Sequence, residues 1–180
     1  MRKVVLGLNM TLDGFVGGPH GELDWMFRQF SEDYVRATSE TLREIDTFLM
    51  GRVAYEEMAP YWPTATDEIA PIMNGAVKYV FSKTLSEVDW SNARLMSGDP
   101  GDLIAELKKQ PGKNIGVAGG AGFAQEIVQA DLVDEYRLAI HPVALGDGLR
   151  LFVGPRSLNL SDSKSFDGGP VVNTYTRSNG

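Results

Sequence analysis

The sequence predicts an α/β protein: a mainly parallel, twisted sheet with helices on its faces and an antiparallel edge added at the C-terminal end. Three observations carry this. Short apolar runs alternate with segments of helical period through the first two-thirds of the chain, the pattern of parallel strands joined by crossover helices. The last third reads mostly as strand. Three apolar runs end at Gly51, at Ser82–Lys83 and at Gly119 onward, where strands give way to turns or helices. In such sheets ligands gather at the carboxyl ends of the strands, so these three ends are expected to meet along one edge.

The elements follow in order. "KVVLGLN" (3–9) reads as a buried strand and "MTLDGFVGGPHGELDW" as a long Gly-rich loop. Ser31 is placed to cap a helix with Glu32 and Asp33 in its first turn, where acids suit the dipole. Val35, Thr38, Leu42 and Ile45 then fall on one helical face. "DTFLMG" (46–51) is a second strand and "RVAYEEMA" (52–59) a short helix; the Pro-rich stretch 60–71 reads as loop. "KYVFS" (78–82) and "ARLMS" (93–97) are strands. Asp99 and Pro100 open a helix that Pro111 and Gly112 close. "NIGVAG" (114–119) is a strand, 121–130 a helix, and 134–145, 150–153 and 171–177 are strands.

The totals exclude several functions. At 180 residues the chain suits a single domain, 1–180. Its net charge of −7 argues against a broad grip on nucleic acid or an anionic membrane. The absence of cysteine removes disulfides, thiolate metal sites and thiol nucleophiles, and suits the cytoplasm. Two histidines, His20 and His141, leave little for a histidine metal cluster or a Ser-His-Asp triad, and no metal is expected. His141 reads as structural and His20 as exposed. The opening "MRKVVLGLNMTLDGF" reads as a strand instead of a signal peptide, and no apolar run reaches the roughly 20 residues of a membrane helix.

"VAGGAGFAQEIV" (117–128) sets Gly119, Gly120 and Gly122 at a strand-to-helix turn. Glycine there allows positive φ and close approach of a ligand, and the helix behind it aims free N–H groups at an anion. A tight turn with no ligand, or close packing, are the alternatives. The Rossmann pattern fails, because Gln125 stands where the third glycine belongs. "FLMGRVAYE" adds Gly51 and Arg52 at a strand end; the pair reads either as a turn with a solvated arginine or as donors for phosphates, including a 2′-phosphate. "VFSKTL" adds the Ser82 hydroxyl and the Lys83 cation at the next.

Taken together, "LNMTLDGFV", "LMGRVAYE", "YVFSKTL", "GVAGGAGFAQEIV" and "DEYRLAIHPVALGDGLRLF" resemble the dihydrofolate reductase-like superfamily. Within it they are similar to the C-terminal reductase domain of bacterial bifunctional riboflavin-biosynthesis deaminase-reductases in stand-alone form. The resemblance implies a mostly parallel sheet of about eight strands, NADPH in preference to NADH across the strand ends, and a homodimer. It implies that Gly51, Arg52 and Val53 face cofactor phosphates, with Arg52 reading the 2′-phosphate. By the same resemblance Ser82 and Lys83 would lie on the adenosine side, and Gly119, Gly120, Ala121, Gly122 and Phe123 would cradle the pyrophosphate. Asp13 and Gly14 fall in the loop that in relatives borders nicotinamide and substrate, and the resemblance implies that Asn9 or Met10 lines the same pocket.

The chain departs from those relatives in two ways. It has no cysteine for a zinc deaminase, which excludes deamination. It also places no acid that aligns with the one dihydrofolate reductases carry early in their first long helix. Asp24 is the candidate proton donor, with a helix N-cap as its plainer reading; Trp25, with Met26 and Phe27, walls the acceptor pocket or packs in the core. The expected function is an NADPH-dependent reductase passing a hydride to a small heterocyclic or carbonyl-type acceptor, pyrimidine- or pterin-like. The alternative is a non-catalytic nucleotide-binding or dimerisation module that kept the fold.

Overall fold

The structure, a computed structural model, describes residues 1–27 and 30–178. Its elements in chain order are β1 (Val4–Thr11), β2 (Phe15–Gly17), α1 (Asp24–Phe27), α2 (Glu32–Leu42), β3 (Ile45–Gly51), α3 (Arg52–Met58), α4 (Ala70–Gly75) and β4 (Val77–Phe81). There follow β5 (Ala93–Met96), α5 (Pro100–Lys109), β6 (Asn114–Val117), α6 (Ala121–Gln129), β7 (Glu135–His141), β8 (Leu149–Arg150), β9 (Leu158–Ser165) and β10 (Val171–Arg177). Eight strands form one sheet in the order β5-β4-β3-β6-β1-β7-β10-β9, while β2 and β8 pair as a separate ribbon. The first six are parallel; β10 runs antiparallel to β7 and to β9. This is the architecture expected, including its antiparallel C-terminal edge.

Period-two alternation assigns the two faces. Val4, Leu6 and Met10 of β1 join Leu49, Ile115, Val117, Tyr136 and Leu138 on one face, which Ile104 and Leu107 of α5 and Phe123, Ile127 and Val128 of α6 cover. On the opposite face Phe48, Met50 and Val80 pack with Ala54 and Tyr55 of α3 and Met73 of α4. α2 lies over the same face further along, where Tyr34 meets Ala139 and Phe166. Asp99 caps α5 by accepting from the Gly101 N–H at 2.6 Å, with Pro100 in the first turn.

Several boundaries differ from expectation, each for a local reason. Ile45 begins β3 instead of extending the α2 stripe, and the buried side chains of α2 are Tyr34 and Ser39 instead of Val35. α2 faces a cavity as well as a core, so its inner surface is not a simple apolar stripe. Within the segment read as loop, Ala70 and Pro71 open α4, whose last carbonyls accept from the buried Lys78 ammonium: Met73 O at 2.7 Å and Asn74 O at 3.2 Å. β7 stops at His141, before Pro142, which has no N–H to continue the ladder. β8 covers only Leu149–Arg150, so 151–153 lie outside it. β9 has no expected counterpart: nearly every residue in it is exposed, so it lacks the apolar pattern that announces a strand.

Candidate active site

Because β4, β3 and β6 are parallel neighbours, their carboxyl ends form one ledge. Gly51 pairs with Phe81, and Leu49 with Val117, so the residues after each strand stand side by side. The turn after β6 uses positive φ at Gly119 (55°) and Gly120 (71°), and Gly120 is the N-cap of the nine-residue α6. Gly122 has neither positive φ nor a crowding neighbour: a Cβ there would meet nothing within 4 Å. Its side of the helix start is open to a ligand.

The remaining ledge residues have defined partners. Gly51 is accounted for by packing, since a Cβ would stand 2.9 Å from the Phe123 Cβ. Phe123 itself is buried and stacks on Phe81 with centroids 5.4 Å apart, which leaves only its main chain for a ligand. Ala121 is the first residue of α6, and Val53 is half exposed. Arg52 is exposed and bonds Glu56 at 2.6 Å, one turn along α3. Ser82 Oγ accepts from the N–H groups of Thr84 (3.1 Å) and Leu85 (3.0 Å), closing its own turn, and Lys83 is exposed beside it.

A cavity of about 570 Å³ opens from this ledge along the sheet face under α2. That volume is within the range of small-molecule sites. Its walls include Gly119 at the ledge, Gly7 and Asn9 on β1, and Tyr34 and Thr38 on α2. Strand pairing explains the opening. β1 pairs with β6 only through Val4–Leu6 but follows β7 to Thr11, so beyond Leu6 one side of β1 is free. At Gly7 a Cβ would meet nothing within 4 Å. At the far end Arg137 bonds Glu135 (2.7 Å) and Glu44 (2.8 Å), and Lys3 bonds Glu135 at 3.0 Å. Burial works to raise the Glu135 carboxyl, but hydrogen bonds from Lys3 and Arg137 outweigh it and hold it below the ordinary glutamate value.

Above the cavity, side chains from three elements converge. Asn9 Oδ1 accepts from the Tyr34 hydroxyl at 2.8 Å and lies 2.7 Å from His141 Nε2. Burial pushes the Tyr34 hydroxyl up to about 12, with the Thr38 side chain pulling the other way, so it stays protonated. His141 is fully buried, which lowers its pKa, and its Nδ1 has no partner among the described residues. The Trp25 ring meets it edge-on at 5.4 Å, while Trp25 Nε1 donates to Glu22 O at 3.0 Å.

The Asp13 carboxylate is engaged within the protein. Its Oδ1 accepts from the Thr11 hydroxyl (2.6 Å), and Oδ2 from the N–H groups of Leu145 (3.0 Å) and Gly146 (2.7 Å). Those bonds, the Thr11 hydroxyl first, hold its carboxyl below the ordinary value. The carboxylate ties the loop after β1 to the loop after β7, and Gly14 makes the turn between with φ 89°. Asp24 is exposed at the start of α1 and, like Asp13, Gly14 and Trp25, is not part of the cavity wall. Met10 faces the core, so of the pair considered it is Asn9 that lines the cavity. Sequence reasoning singled out neither Tyr34 nor Arg137, which no local motif marks, while His141, read as structural, is fully buried beside Asn9.

The sheet order, the glycine turn at a strand end and the cleft along β1 define a reductase-like α/β fold. The chain belongs to the RibD C-terminal domain family, which matches residues 2–173. YyaP of Bacillus subtilis (strain 168), an uncharacterised protein, is 35% identical over 182 residues, covering 97% of this chain and 94% of YyaP. A crystal structure of a protein ascribed to riboflavin biosynthesis from Shewanella sp. PV-4 is similar with a TM-score of 0.80 at 22% identity, over 98% of this chain and 99% of that one. The diaminohydroxyphosphoribosylaminopyrimidine deaminase/5-amino-6-(5-phosphoribosylamino)uracil reductase of Thermotoga maritima gives 0.70 at 14% identity. There the match covers 98% of this chain and 57% of the larger protein. At those identities the likeness to the solved structures is one of fold.

Proposed function

We propose that this chain is an NADPH-dependent reductase that passes a hydride to a small heterocyclic or carbonyl-type acceptor held in the cleft under α2. One observation carries the reading: the glycine turn before α6, with open space at Gly122, adjoins at Gly119 a cavity large enough for a flat ring and its acceptor. The residues present fit such a cofactor. The open approach at Gly122, on the first turn of α6, suits the pyrophosphate, because the free N–H groups and the dipole of the helix favour an anion. Arg52 stands on the neighbouring strand end, free to exchange Glu56 for a 2′-phosphate.

The bound nicotinamide supplies the hydride, and the protein supplies place and surroundings. Gly7 leaves the floor clear for a ring, and Tyr34 and Thr38 close the wall above it. A proton from Asp24 would cross water to reach the acceptor, since Asp24 is outside the cavity wall.

Calorimetric titration with NADPH and NADH tests the reading. Wild-type protein should bind NADPH more tightly. Arg52→Ala should weaken NADPH by about tenfold, the scale of one charged hydrogen bond, with a smaller effect on NADH. Glu56→Gln, which frees Arg52 from its exposed partner, should strengthen NADPH by about twofold to fivefold. Equal losses for both cofactors in Arg52→Ala would remove the 2′-phosphate assignment, and no binding of either would overturn the reductase reading.

A further inference from the structure

We infer that the Asn9 side chain is a fixed hydrogen-bond donor that reads the carboxamide oxygen of the nicotinamide ring, an assignment that rests on the cofactor reading above. Both acceptor sites of its oxygen face neighbours. An amide oxygen has two lone pairs. At Asn9 one accepts from the Tyr34 hydroxyl (2.8 Å), and the other faces His141 Nε2 at 2.7 Å, which donates to it in the tautomer protonated there. Tyr34 holds its proton and is therefore a donor. His141 completes the set with its proton on Nε2, which leaves a bare lone pair at the buried Nδ1, a milder orphan than a buried N–H.

With its oxygen saturated from both sides, the carboxamide cannot turn. Its Nδ2 group carries two N–H donors and has no hydrogen-bond partner among the described residues. It is the polar end of a cavity-lining side chain, and it offers hydrogens only. The complement is a carbonyl oxygen.

Position selects which carbonyl. β6 stops pairing with β1 at Leu6, and its glycine turn begins within two residues of that level. Asn9 lies three residues further along β1, about 10 Å at ~3.3 Å per residue, just beyond the turn that would hold the pyrophosphate. Gly7 and Asn9 point to the same face, about 7 Å apart along the strand. Gly7 is empty floor, so a flat six-membered ring resting there places an exocyclic carboxamide toward Asn9. A hydrogen bond at the end of that carboxamide spans the remaining gap. The bond would fix which face of the ring is presented to an acceptor, because rotation of the ring by half a turn takes the oxygen away from Asn9.

Binding alone tests this, with no acceptor required. The probes are NADPH, 2′-phospho-ADP-ribose (the same molecule without nicotinamide) and oxidised NADP beside its 3-acetylpyridine analogue, which keeps the ring carbonyl and loses the NH2. Asn9→Ala should weaken NADPH by about threefold to tenfold, the range of one hydrogen bond, and leave 2′-phospho-ADP-ribose within twofold of wild type. Asn9→Asp keeps the shape and both accepted hydrogen bonds but offers no donor. It should lose NADPH affinity in the same selective way, which keeps the test valid if Asn9→Ala folds poorly. Wild-type protein should bind the acetylpyridine analogue as well as it binds NADP.

Equal loss of NADPH and 2′-phospho-ADP-ribose in the Asn9 variants would make Asn9 a structural residue and overturn the inference. So would unchanged NADPH binding, or a marked weakening of the acetylpyridine analogue, which would mean that Asn9 presents its oxygen. Failure of wild-type protein to bind either NADPH or 2′-phospho-ADP-ribose marks the different failure, that of the cofactor reading itself.

Discussion

His141 shows how one side chain ties stability to the candidate site. It is fully buried at the end of β7, surrounded by the Trp25 and Tyr34 rings, and burial holds its pKa below the ordinary 6.5. The unfolded chain therefore takes up the proton first. Stability from the neutral imidazole is complete above about pH 6.5 and declines as pH falls below that value. Urea unfolding of the wild type should show a falling midpoint between pH 7.5 and 5.5. His141→Gln has no titrating group but keeps a donor toward Asn9, and it should lose less over the same interval. An identical decline in both proteins would assign the pH dependence to other groups. Asp13 acts in the opposite pH range: its carboxyl is held below the ordinary value, so the tie to Leu145 and Gly146 persists until pH drops well into the acid range.

Among the elements, β1 decides whether there is a site. A glycine in a strand interior usually weakens it, by about 0.5–1 kcal/mol against alanine, and Gly7 has no steric neighbour that demands glycine. Its physical effect is the empty floor of the cavity. Gly7→Val should consequently raise the unfolding temperature or leave it unchanged, while abolishing NADPH binding in a calorimetric titration. Retained affinity would mean that the ring lies elsewhere. The ledge was legible in the sequence because its signals are local: glycine, arginine, serine and lysine at the ends of apolar runs. The Asn9 cluster was not, because its members are 25 and 132 residues apart and meaningful only once α2 and β7 flank β1. The strand β9 escaped for a third reason, since an exposed edge strand has no buried face to leave a pattern in its residues.

Across the whole molecule, the two ends of the sheet carry different side chains. The carboxyl ends carry glycines, the Arg52 and Lys83 cations and the Gly119 wall of the cavity. The amino ends carry an ion-pair lattice. Arg2 is buried against Asp46, Thr47 Oγ1 (2.7 Å) and Lys113 O (2.7 Å). Asp134 accepts from the Val4 N–H (2.8 Å), the Lys108 ammonium (2.6 Å) and Arg177 (2.8 Å), joining β1, α5 and β10 just before β7 begins. Ion pairs at the surface contribute little singly, but this carboxylate is four-fifths buried and serves three elements at once. Asp134→Asn should therefore cost about 2 kcal/mol, a fall of roughly 4–8 °C in unfolding temperature for a chain of this size. Because the lattice lies at the opposite end of the strands from the ledge, NADPH affinity should stay within twofold of wild type at a temperature where both proteins are folded. A loss of affinity in step with stability would show that the two ends are coupled through β1, and unchanged stability would show that the Asp134 contacts contribute nothing to holding the sheet together.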